Sequence, residues 1–173
     1  MTTWTAPEAH RENEPMTGDE RAMLQGWLDY HRQTLLGKCA GLTADQLKTA
    51  SVEPSNLTLL GLVRHMTEVE RAWFRQRAAG DAGLRDPYSS PDNRDGDFDD
   101  VPQADAEADF TAFLEELKLA DAAVADLPLE SEFEGRRGPI SLRWVYLHMI
   151  EEYARHNGHA DLLRERIDGA TGF

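Results

Sequence analysis

Glu152 and His156 stand four residues apart in the stretch LRWVYLHMIEEYARHNGHADLLRER, Leu142 to Arg166. On an α-helix that spacing places one side chain above the other, so an acid and an imidazole can share a proton or hold a common cation. At roughly 100° per residue, Leu142, Val145, Met149, Leu163 and Ile167 fall on the same narrow face, the mark of a helix packed on a core. Glu152 and His156 therefore occupy positions where Leu or Ile would serve structure better. A lone Glu there is expensive unless something pairs with it. Two readings follow: a buried Glu–His hydrogen bond closed by a tyrosine or arginine, or a shared metal ion.

The metal reading needs a third ligand on another helix, and His65 qualifies. It lies on the flank of the apolar stripe Leu59, Leu62, Met66, Val69 and Trp73. Two His and one Glu leave a coordination position open, as in catalytic rather than structural zinc sites. His148 and His159, at the edge of the same C-terminal face, compete as ligands, whereas His10 and His31 read as surface or satisfied residues. Tyr153 reads as a core tyrosine. The single cysteine, Cys39, rules out an internal disulfide or a Cys-rich zinc ribbon and reads as packing rather than nucleophile.

Four long helices must position these residues. Residues 1–16 carry Pro7 and Pro15 with no periodicity and read as a flexible N-terminal arm; residues 17–173 read as one domain. Thr17 to Glu20 matches a capping box, which starts the first helix there and carries it to about Ala40. Thr43 caps a short turn. The second helix runs from Leu57 or Thr58 to Ala79, antiparallel to the first, and the third from about Ala104 to Asp126. Residues 129–140 suggest a short hairpin, and Ser141 caps the fourth helix. The result is an all-α fold, a four-helix bundle with a long crossover between helices two and three.

That crossover, residues 80–103, contains an acidic run from Asp92 to Asp100. A calcium loop fails on spacing, because Pro91 and Pro102 fall at the first and last ligand positions of an EF-hand alignment. The run reads as a solvated crossover.

Composition narrows the function. The 173 residues carry a formal net charge of -14, with a pI near 4.7, which repels nucleic-acid phosphate and anionic membranes. No apolar run of about 20 residues and no signal-like start occur, so a cytoplasmic location is expected. Three of the 18 basic residues are Lys, a bias associated with GC-rich genomes.

Leu62-Val-Arg-His65-Met, followed by Glu68 and Glu70, and Leu147-His-Met-Ile-Glu-Glu-Tyr-Ala-Arg-His156-Asn-Gly-His-Ala-Asp161-Leu-Leu-Arg164-Glu carry a resemblance. Over about residues 17–168 the chain resembles the DinB/YfiT-like superfamily. It is most similar to the actinobacterial thiol-transferase-like branch that includes the mycothiol-dependent maleylpyruvate isomerases. The resemblance implies a DinB-like bundle with metal ligands His65, Glu152 and His156, with zinc favoured over nickel or iron because Glu stands where many members have His. It also implies a small thiol, mycothiol or a similar one, as cofactor or co-substrate. Arg64, Arg143 and Arg155, neighbours of the proposed ligands, are candidates to hold an anionic group of thiol or substrate, against ordinary surface pairing.

Three functions are then in play. One is a metal-dependent thiol S-transferase acting on a small electrophile. The others are a different metal-dependent hydrolase or isomerase, and a non-catalytic helical-bundle protein with a structural polar cluster. A homodimer suits all three, with Trp27, Trp73 and Trp144 as candidates for its face.

Overall fold

The computed structural model describes residues 4–172, so residues 1–3 of the expected arm lie outside the described residues. The chain is mostly helical: α1 (Glu20–Cys39), α2 (Ala44–Leu47), α3 (Leu59–Glu70), α4 (Gly96–Asp99), α5 (Ala106–Val124) and α6 (Leu142–Asp168). A two-stranded antiparallel ladder, β1 (Glu132–Phe133) with β2 (Ile140–Ser141), is the only sheet among the described residues.

Side-chain caps set most helix starts. Thr43 forms a capping box with Gln46, Thr58 accepts from the Gly61 N–H, and Ser141 accepts from the Trp144 N–H. The start of α1 differs from the expected Thr17 box. Gly18 has φ +151°, which no helical residue adopts, and Asp19 caps the helix by accepting from Ala22 N–H at 3.0 Å. At the other end α6 runs two residues past Arg166 and stops at Gly169, φ +78°, whose N–H reaches the Glu165 carbonyl.

The second long helix is not α-helical throughout. From Arg71 to Ala78 it widens into a π-helix, closed by Ala79 N–H on the Phe74 carbonyl. In that segment Arg71 and Arg75 both bond the buried Glu116 of α5, at 2.6–3.0 Å.

The core is shared by the four long helices. Leu28 and Leu35 of α1, Leu62, Val63 and Met66 of α3, Phe113 of α5, and Val145 and Met149 of α6 are fully buried. Each side chain of this size contributes about 1.5–3 kcal/mol on leaving water. α1 packs chiefly along α6 and α3 along α5, so the first two long helices are not each other's main neighbours. The turn containing α2, with the segment 49–58 after it, carries the chain across before α3 begins. α1 and α3 still meet through Arg32, which bonds Glu70 twice at 2.7–2.8 Å.

The segment 4–15 lies against this core. Trp4 packs edge-on to Phe110, Ala6 is buried and exchanges backbone bonds with Gly41 and Leu42, and Arg11 bonds Thr34. No helix among the described residues is long and apolar enough to cross a membrane.

Candidate metal centre

α3 and α6 bring His65, Glu152 and His156 together. One ligand atom from each lies within 4.8 Å of the other two, and His156 Nε2 is 3.5 Å from Glu152 Oε2. The three side chains are 13–28% exposed, open enough to admit a small ligand and sheltered enough to weaken competition from water. Glu152 and His156 do not sit at the centre of the buried stripe of α6, as their periodicity suggests. Tyr153 and Asn157 take the central positions and are buried, leaving Glu152 and His156 on the flank. Tyr153 is claimed there by Glu70, to which its hydroxyl donates at 2.7 Å.

Each member of the trio has a supporting neighbour. Asp97 Oδ2 lies 2.8 Å from His65 Nδ1; a carboxylate there accepts from an Nδ1–H, the tautomer that keeps the Nε2 lone pair for a ligand. His159 Nδ1 is 3.4 Å from His156 Nδ1, and His148 Nε2 is 3.5 Å from Glu152 Oε1. The two histidines that compete as ligands in the sequence thus stand beside the trio. The His148 ring is held by Trp144, stacked at 4.9 Å, and by Trp73, edge-on at 4.6 Å.

Burial, with help from His65, His159 and Arg155, pushes the His156 pKa down to about 4, against the opposing pull of Asp97. Its imidazole is neutral at pH 7 and offers a lone pair. Two imidazoles and a carboxylate are a donor set suited to zinc or a related divalent ion. Ligands held about 2.0–2.2 Å from one ion span at most about 4.4 Å, so the trio stands within a small side-chain adjustment of that span.

Arg64, Arg143 and Arg155 are engaged elsewhere. Arg64 is buried, donates to the carbonyls of Gly96 and Asp97 and to Asp109, and lies over the Tyr88 ring. Arg143 pairs with Glu20 and Glu130, and Arg155 with Glu151. These contacts are the ordinary pairing that stood against an anion-holding role for the three.

Asp97 is the residue sequence reasoning missed, having been read as part of a solvated run. Gly96 and Asp97 are buried, and Phe98 rests on His65 at 5.5 Å between ring centres. An aromatic residue inside an acidic run was the available signal, since it marks chain pressed onto the protein. The same loop walls a cavity of about 1110 Å³ that meets the trio at His65 and includes Trp73, Asp97 and Phe98.

A family model described as mycothiol-S-transferase matches residues 23–169. The chain belongs to the mycothiol-S-transferase family. The match to this DinB/YfiT-like actinobacterial thiol-transferase family takes in His65, Asp97, Glu152 and His156 and all four long helices from Met23 onward. No curated protein and no solved structure matches the chain.

Proposed function

We propose that this mycothiol-S-transferase family member is a divalent-metal-dependent transferase that uses mycothiol, or a similar small thiol, as nucleophile on a small electrophile. On this proposal the chain's fold is a DinB-like four-helix bundle and its working form a cytoplasmic homodimer, with zinc as the favoured metal. The observation that carries the reading is the convergence of His65, Glu152 and His156 within 4.8 Å, a cluster suited to a metal.

His65, Glu152 and His156 would hold a divalent metal, which would supply the positive charge that favours the thiolate form of a bound thiol. Asp97 fixes the tautomer and ring orientation of His65, while His159 and His148 steady His156 and Glu152. Glu152 contributes the one negative charge of the trio. Trp73 and Phe98 give the cavity beside His65 part of its apolar wall. Cys39 takes no part, because burial pushes its thiol up to about 12 and keeps it protonated.

The test is metal content by elemental mass spectrometry on tag-free protein after zinc or nickel reconstitution, beside Glu152→Ala and His156→Ala. About one metal per chain in the wild type, lost in both variants together with thiol-dependent turnover, is the expected result. Background metal in the wild type would leave the trio as a structural polar cluster and favour the non-catalytic bundle.

A further inference from the structure

The cavity beside His65 lies between α3 with its π-helical continuation and the segment 84–98. Most of its carboxylates are already taken by protein donors. Glu68 accepts from the N–H groups of Tyr88 and Ser89 and from the Ser89 hydroxyl. Asp97 pairs with His65 and accepts from Phe98 N–H, and Asp86 accepts from Gln76. Asp95 is the lining carboxylate whose side chain meets no donor among the described residues.

The lining guanidiniums are in the opposite condition. Arg85 and Arg94 meet no hydrogen-bond, ion-pair or ring partner among the described residues. Most of the chain's arginines find a carboxylate or a carbonyl, whereas these two, both exposed at the cavity, do not among the described residues. Arg71 holds the Arg85 carbonyl at 2.9 Å and so fixes the backbone from which that guanidinium projects. A strongly acidic protein repels anions from its surface, and an unpaired pair of guanidiniums at a partly apolar cleft is where one would be admitted. The guanidinium fork also matches a carboxylate geometrically.

We propose that Arg85 and Arg94 form an anion subsite in this cavity, and that the preferred electrophile carries a carboxylate or comparable anionic group. The word electrophile rests on the transferase reading of the same site; binding of the anion does not.

Isothermal titration of the full chain with 4-chloro-3-nitrobenzoate and with 4-chloro-3-nitrobenzamide, without thiol, tests the subsite. The two probes share shape and differ in charge. The wild type is expected to bind the benzoate about tenfold more tightly, in keeping with a charge-assisted hydrogen bond. Arg85→Gln with Arg94→Gln should erase that preference and leave the amide unchanged. Arg136→Gln with Arg137→Gln, an equal loss of charge at guanidiniums also unpartnered among the described residues but outside the cavity, should retain it. A wild type that binds the benzoate no better than the amide, or an equal loss in the control pair, overturns the proposal. Circular dichroism checks that all variants fold.

Adding thiol then separates the two readings. The thiol sulfur forms a bond to the ring carbon, the carbon–chlorine bond breaks with its electron pair leaving as chloride, and the thiol proton passes to solvent. Charge-selective binding without thiol-dependent chloride release sustains the anion subsite and removes the transferase reading. Thiol-dependent release without charge selectivity does the reverse.

Discussion

Arg32 and Glu70 put a charged pair where most proteins put leucines. Both are almost wholly buried, bonded through two contacts of 2.7–2.8 Å, with Tyr153 donating to the same carboxylate and Asp29 and Asp121 reaching Arg32 from the side. Burial works against the Arg32 charge, but Glu70 overrides it and holds the guanidinium protonated. Glu70→Leu leaves that charge without its main partner and should cost about 3–5 kcal/mol, read as a lowered urea midpoint. The double variant Glu70→Leu with Arg32→Met should recover much of the loss, because the cost lies in the orphaned charge. Cys39 gives a prediction with a pH sign. Its ordinary value is 9.0 and burial raises it to about 12, so between those values the unfolded chain releases a proton that the folded chain keeps. The stability it contributes is fully present below pH 9 and falls as pH rises through that window. Urea midpoints above pH 9 should decline less steeply in Cys39→Val than in the wild type, and iodoacetamide at pH 8 should label only the denatured wild type.

At the scale of elements, Gly61 decides how closely the crossover approaches α3. A Cβ built on Gly61 would stand 2.6 Å from the Phe98 ring, the ring that rests on His65 one residue after Asp97. Gly61→Ala should push this loop outward at an overpacking cost of about 1–3 kcal/mol. It should weaken zinc binding while the helical circular dichroism signal is retained; unchanged affinity in competition with a chelator would show that the approach of Phe98 has no bearing on His65. Much of this architecture was legible in the sequence. Thr43 and Ser141 announced their helices because capping chemistry is local, and Glu152 and His156 stood out because helical spacing is local too. What escaped was long-range. Asp97 meets His65 across 32 positions and Arg32 meets Glu70 across 38, and no periodicity reports such pairings. The π-helix escaped because its wider turn leaves the apolar pattern from Leu59 to Trp73 readable as an ordinary helix. The three arginines near the trio in sequence, open there to an anion or to ordinary pairing, make protein pairs: Arg64 with Asp109, Arg143 with Glu20 and Glu130, and Arg155 with Glu151.

For the molecule as a whole, the crossover is fastened by side chains of one helix. Arg64 holds the carbonyls of Gly96 and Asp97, Glu68 holds the amides of Tyr88 and Ser89, and Arg71 holds the Arg85 carbonyl. His65 joins this set through Asp97 and also faces Glu152 and His156, so one imidazole belongs to two assemblies. Whatever stabilises its orientation for one stabilises it for the other, and such linkage is reciprocal. Zinc added to the full chain should therefore slow amide hydrogen exchange across residues 84–100, far along the chain from α6. Asp97→Asn should shrink that protection and weaken zinc binding together, whereas loss of one without the other would break the link. If zinc does slow exchange there, the segment would serve as a gauge of occupancy, and a protease or an exchange measurement could read the loading state of the site without touching it.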